Sequence, residues 1–447
     1  MRIAKTLCFK FLLPLFLCSP LTAKESAPTE LQAYLDLKDE STSWEMLKKI
    51  TVGESDVWLI KLQSQTWQGI PWTHDLLLVK PHSAPAGEKI LLVNSGGSFN
   101  IRKPGSLTLG ATLAQRINAP VAVLLGIPKQ PLFGGLKEDD LIAETFIRYL
   151  DTGDATWPLL FPMVKSLVKA MDSIEEFTAA EWEKPISEFI VTGASKRGWT
   201  TWLTAAADPR VTALAPMVID VLNINEQLDH QKKSLGGPSE QISPYTKRGL
   251  VPMPDTERAR RLWRMVDPYS YREKFTQPKL VVLGNNDRYW STDALNLYWD
   301  GIPGPKYISY SPNAGHGLTQ IDENGEKTDP MRAIDNISAF VRLQLDGKLP
   351  PEISWQHGDT PDGELQLEVS TNTPPREARL WYATSKSRDF RDSRWHSKPV
   401  EVDAEGKIHL THPAPTEEHY AYYVDLAYPV GNLTLWLCTQ LRIASPQ

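Results

Sequence analysis

Ser195 stands in EFIVTGASKRGWTTWLTAAADPRV, where the apolar run Phe189–Val191 leads into Gly193-Ala194-Ser195 and a helical pattern begins directly behind the serine. A strand–turn–helix elbow of this kind lifts a serine hydroxyl above the edge of a parallel sheet, where it can act as a nucleophile. Gly193, two before the serine, lets strand and helix approach closely. The string departs from G-x-S-x-G, because Arg197 occupies the second position after the serine and glycine comes only at Gly198. A serine nucleophile needs a base to take its proton and an anion to orient that base.

Two later loops supply both residue types. KLVVLGNND places Asp287 after an apolar strand, and KYISYSPNAGHG places His316 after the next, between Gly315 and Gly317. Ser, acid, His is the chain order of an α/β-hydrolase. Asp293, in STDALNLYW, is the second candidate for the acid; His74 and His230 are weaker candidates for the base. An oxyanion hole needs two donors aimed at the developing charge. The backbone N–H of Lys196 is the expected first donor. Asn94-Ser95-Gly96-Gly97-Ser98, after the strand KILLVNS, is the expected source of the second, from Gly96 or Gly97. Each position also has a plainer reading: Asp287 as a turn or capping residue, His316 as a turn histidine, Gly96-Gly97 as a strand-ending turn.

The elements that must position these residues alternate along the chain. Strand-like runs fall at 57–62, 74–81, 89–95, 121–126, 188–193, 213–219, 279–284 and 306–311, with helical stretches such as SLTLGATLAQRI, PMVKSLVKAMDSI and MRAIDNISAFVRLQL between them. From the third onward the strands are near-continuous apolar runs, as in strands buried on both faces. The fold expected is α/β, a mostly parallel sheet with helices on both faces, over residues 24–346. A polar, Gly/Pro-interrupted insertion near 223–270 is placed to cap the site. After Gly347-Lys348-Leu349-Pro350-Pro351 the character changes to short alternating strands, from ISWQHG to LTLWLCTQLRI, which predicts an all-β sandwich of immunoglobulin or fibronectin type over 352–447. Its expected role is contact with a polymer or another protein.

Residues 1–23 read as a signal peptide: Arg2, Lys5 and Lys10, then an apolar run Phe11–Cys18, then Leu21-Thr22-Ala23. A periplasmic or secreted location is therefore expected. Removing that segment leaves one of the three cysteines, Cys438, read as a buried apolar residue. No later segment is long and apolar enough to span a bilayer. A net charge of −6 without a dense Lys/Arg run argues against nucleic acid as a partner. Neither a metal site nor a cofactor is expected. Glu138-Asp139-Asp140 lacks a histidine and sits where acids favour a helix start, and GASKRG lacks phosphate-loop spacing.

The segments SWEMLKKI, GDATWPLLFPMVKSLVKAMD, VTGASKRGWTTWLTAAADPRVTALAPMVID and DALNLYWDGIPGPKYISYSPNAGHG together resemble the PhoPQ-activated pathogenicity-related proteins, themselves similar to secreted autocrine proliferation repressors of lower eukaryotes. The resemblance spans most of residues 30–345. It implies an α/β-hydrolase-like fold, carries over Ser195, Asp287 and His316 as the expected triad, and points to envelope stress or virulence as the setting. It supplies no substrate. Through G-x-S-[KR]-x-G the chain is more loosely similar to glucuronoyl esterases, which implies a basic side chain, here Lys196, beside the oxyanion. The expected function is an exported serine hydrolase acting on a small-molecule, sugar-ester or peptide substrate. The alternative from a different class is a secreted binding or signalling protein on an inactive hydrolase scaffold.

Overall fold

The computed structural model describes residues 26–97, 105–322, 324–328 and 330–447. The segment read as a signal peptide and Ser98 of the glycine loop lie outside these residues. Strands β1 (Ser43–Val52), β2 (Ser55–Trp67) and β3 (Ile70–Pro81) form an antiparallel meander. Gln68 and Gly69 both have positive φ (49° and 75°), the conformation a two-residue turn needs to match strand twist. Six strands follow: β4 (Lys89–Asn94), β5 (Val121–Leu124), β6 (Glu188–Ala194), β7 (Val211–Met217), β8 (Lys279–Gly284) and β9 (Lys306–Ser311).

Their order in the sheet is β1-β2-β3-β5-β4-β6-β7-β8-β9. β3 and β5 run antiparallel, and every pair from β5 to β9 is parallel. The expected α/β-hydrolase arrangement is present, with β1 added at one edge. β5 is buried throughout and the interior of β6 is too, which is why these strands carry apolar residues on both faces. The long helices Leu160–Glu181 and Lys196–Ala207 cover one face, through Leu167, Met171, Trp202 and Leu203; Gly105–Ile117 and Met331–Leu345 contribute to a separate apolar cluster, through Leu113, Ile337 and Phe340.

Eight further strands follow residue 352: β10 (Ile353–Asp359), β11 (Leu365–Thr371), β12 (Glu377–Ser385), β13 (His396–Pro399), β14 (Lys407–His412), β15 (His419–Val430), β16 (Leu433–Cys438) and β17 (Arg442–Ala444). They differ from a free-standing module. β10, β11 and β14 form a three-stranded sheet, but β16 pairs with β9 at Cys438–Ile308, so β16, β15, β12 and β13 continue the central sheet. An open β9 edge would present unpaired N–H and C=O groups, and the apolar run of β16 covers it. Leu365, Leu367 and Val369 of β11 belong to the same apolar cluster as Leu380, Val424, Leu426 and Leu435. Arg332, on the helix after β9, donates to buried Asp425 of β15 at 2.6 Å. Cys438 is fully buried at the junction, its thiol pushed up to about 12 by burial. Among the described residues no helix is long and apolar enough to cross a membrane.

Candidate active site

Ser195 follows β6 directly and precedes the helix Lys196–Ala207, with φ 59° and ψ −126°. A non-glycine residue in such a region costs on the order of 1–3 kcal/mol and persists only where its surroundings over-determine it. The surroundings do so here. Ser195 N–H donates to the Met217 carbonyl at 2.9 Å, and the Ser195 carbonyl accepts from Trp199 N–H at 2.9 Å. A Cβ on Gly193 would lie 2.8 Å from the Arg197 carbonyl, and one on Gly198 would lie 2.9 Å from the Met217 carbonyl. Both glycines of GASKRG are therefore required by backbone packing.

His316 is brought to the serine by the loop after β9. Its Nε2 lies 2.9 Å from Ser195 Oγ and its Nδ1 2.8 Å from Asp287 Oδ2. The remaining carboxylate oxygen of Asp287 accepts Tyr289 N–H at 2.9 Å, which holds the group in its plane. A Cβ on Gly284, at the end of β8, would come 2.5 Å from the Ala314 carbonyl, so glycine there allows the two loops to meet. The Tyr289 ring packs on the His316 ring with centroids 4.3 Å apart. Asp293, the second candidate acid, is engaged elsewhere: it binds His230 Nε2 at 2.6 Å and Arg388 Nη2 at 2.8 Å. His74 is buried against Ser64 Oγ and the Leu125 carbonyl, away from this line of contacts.

Lys196 is the first residue of its helix, so its N–H has no intrahelical acceptor. Among the described residues the amides of Gly96 and Gly97 have no backbone acceptor either. The Lys196 side chain pairs with Asp139, at 2.8 Å, and Glu138, at 3.4 Å, and lines the same cavity as Ser195 and His316. Arg197 explains the departure from G-x-S-x-G. It grips Glu138 with two bonds of 2.7 and 2.8 Å, donates to the Ile127 carbonyl at 2.5 Å, and lies where a Cβ on Gly96 would fall. One guanidinium thus fixes the loops after β4 and β5 and the start of helix Glu138–Thr152 around the elbow. Burial raises the Glu138 carboxyl, but Arg197, Gln130 and Lys196 outweigh it and hold it at about 2.

Asp139, Tyr245 and Tyr289 complete the site and were not foreseen in the sequence. Asp139 Oδ1 accepts from Tyr245 Oη at 3.1 Å and its Oδ2 from Tyr289 Oη at 3.2 Å, besides Lys196. The only prior signal was two clusters of opposite charge, Glu138-Asp139-Asp140 and Lys196-Arg197, each opening a helix. Behind Ser195 lies a cavity of ≈ 50 Å³ walled by Trp199, Val218, Val221 and by Ile224, Ile242 and Trp263 of the insertion between β7 and β8.

Asp220, after β7, is a further buried carboxyl, accepting from Tyr298 Oη at 2.5 Å. Burial, opposed by that bond and reinforced by the Asp287 charge, raises it to about 7. A carboxyl whose folded pKa is raised costs stability as pH climbs from its unfolded value, near 4, to about 7. Asp220→Asn, which keeps an acceptor for Tyr298, should flatten this decline. The denaturation midpoint of the variant should exceed that of the parent at pH 8 and approach it at pH 5; an equal gap at both values would refute the ionisation.

Among solved structures the chain is similar to acetyl xylan esterase 1 from Thermoanaerobacterium sp. JW/SL YS485 (15% identity, TM-score 0.49, covering 72% of this chain and 95% of that one). It is also similar to a glucuronoyl esterase from Solibacter usitatus (12% identity, TM-score 0.41, 64% and 86%). In sequence it is 28% identical over 433 residues to autocrine proliferation repressor protein A of Dictyostelium discoideum, covering 90% of this chain and 86% of the relative. Residues 31–391 match the family model of the PhoPQ-activated pathogenicity-related proteins. By that match, over most of its length, the chain belongs to the PhoPQ-activated pathogenicity-related protein family.

Proposed function

We propose that the protein is an exported serine hydrolase that cleaves a carboxylic ester or peptide bond through an acyl-enzyme. The observation that carries this reading is the continuous hydrogen-bonded line from Ser195 Oγ through His316 to Asp287, on a serine held at positive φ. Ser195 Oγ attacks the substrate carbonyl carbon while His316 Nε2 takes its proton; Asp287 holds His316 in the tautomer that leaves Nε2 free to accept it. The N–H groups of Lys196 and of Gly96 or Gly97 receive the oxyanion. Collapse breaks the bond to the leaving group, which departs with the proton from His316, and water repeats the sequence on the acyl-enzyme. The reaction consumes one water.

The leader Met1–Ala23 supports a periplasmic or secreted site of action. The C-terminal strands are read as an immunoglobulin-like sandwich fused to the sheet edge, offering a contact surface for polymer or protein. Purified protein given short-chain aryl esters, sugar esters and aminoacyl anilides should release product from at least one class, with the esters fastest. An intact fold inert to every class would favour the alternative, a signalling protein on a hydrolase scaffold, to which the name of the 28% identical relative points.

A further inference from the structure

Two spaces meet at His316 and Tyr289. One is the ≈ 50 Å³ cavity at Ser195, walled mostly by aliphatic and aromatic side chains, with the paired Asp139 and Lys196 also in its lining. The other is an open groove of ≈ 560 Å³ that also reaches His316, lined by Arg288, Asn313, Ile321, Arg391 and Arg394. The groove wall at Phe390–Trp395 belongs to the C-terminal region, yet it is fastened to the loops carrying the site. Asn286, next to Asp287, donates to the Ser393 carbonyl at 2.8 Å, and Asn313, three before His316, exchanges two bonds with the Trp395 backbone at 2.8 and 2.9 Å.

The arginines in this groove are not equivalent. Arg288 is neutralised by Glu240 and Asp392, and Arg391 by Asp389 and Glu240. Arg394 is exposed, donates to the Ile321 carbonyl at 2.9 Å, and has no carboxylate partner among the described residues. Its charge faces the groove unspent.

The chemistry of the line assigns the two spaces. Ser195 lines the cavity and not the groove, so the acyl part it carries lies in the cavity, and the alcohol part that His316 protonates lies in the groove that His316 also lines. The cavity, at ≈ 50 Å³, is far smaller than the groove, at ≈ 560 Å³, so it takes the smaller of the substrate's two parts. We propose that the substrate is an ester of a short apolar acid with a larger alcohol carrying an anionic oxygen group, and that Arg394 of the C-terminal region is the residue that selects it. This rests on the serine-hydrolase reading above.

Three acetyl esters test it: 4-acetoxybenzoate, 4-acetoxyphenyl phosphate and the neutral methyl 4-acetoxybenzoate. Arg394→Ala should lower kcat/KM for the charged esters by about tenfold, chiefly through KM, while the neutral ester changes less than about twofold; Arg394→Lys should restore part of the loss. The carboxylate and phosphate arms distinguish the two sources of charge. In a 4-nitrophenyl series, acetyl and butyryl esters should exceed octanoyl by at least about tenfold. Equal losses on charged and neutral esters, or a preference for octanoyl, would overturn the assignment and leave the hydrolase reading intact. No turnover of any ester, with Ser195 inert to acylating probes, would overturn both.

Discussion

Ser195→Ala should abolish turnover, with kcat falling on the order of 10⁴-fold or more, while the fold is retained. The substitution removes one oxygen, and with it the atom that forms the acyl bond. Little else depends on that oxygen: its recorded partner is His316 Nε2, on a side chain that is 30% exposed. Losing one partly solvated hydrogen bond changes stability by about 1 kcal/mol. The positive φ costs alanine much what it costs serine, and the backbone bonds to Met217 and Trp199 remain. The residual rate should be that of the oxyanion donors and binding alone, read from active-site-titrated enzyme alongside the thermal midpoint. Activity within tenfold of the parent would remove Ser195 from the reaction.

Asp287→Asn should lower kcat by about 10⁴-fold, whereas Asp293→Asn should leave it within a few-fold. Asp287 accepts a proton-bearing Nδ1 and so leaves Nε2 bare for the serine; an amide NH₂ facing Nδ1 favours the opposite tautomer. Asp293 has no part in this line. It balances Arg388 and holds His230 across the insertion, so its replacement leaves a cation short of its partner and should appear as lost stability. Steady-state kinetics and denaturation of the two variants separate these effects. A reversed pattern would exchange the two acids.

The legible features were those whose cause is local. Each of the eight runs coincides with one of β2 to β9, three of them (89–95, 121–126 and 213–219) extending one or two residues past the strand's end, because burial in a sheet leaves a hydrophobic imprint. Ser195, Asp287 and His316 could be picked out together because each sits in the loop directly after such a run. β1 left no imprint: most of its residues are exposed, so SWEMLKKITV shows no two-residue alternation in burial. Arg197 read as an irregularity because its explanation, Glu138, Ile127 and the space above Gly96, lies in segments remote in sequence. The loosely similar glucuronoyl pattern implied a Lys196 side chain beside the oxyanion; the structure pairs that side chain with Asp139 at the lining of the cavity that Ser195 and His316 share, a partner with no signal near Lys196 in the sequence. The C-terminal strands were visible by their alternation, but the single pair Cys438–Ile308 that joins them to the sheet has no local signature. Nor does the fastening of Phe390–Trp395 beside His316.

A fluorophosphonate probe tests the central claim most directly, because it needs no knowledge of the substrate. An activated Oγ displaces fluoride from phosphorus and becomes covalently phosphonylated, which intact mass spectrometry and peptide mapping locate. The wild-type protein should be labelled to near one equivalent on Ser195, the Ser195→Ala variant should not be labelled, and His316→Ala should react far more slowly. A folded wild-type protein that takes up no label, or that is labelled equally after Ser195→Ala, would contradict it.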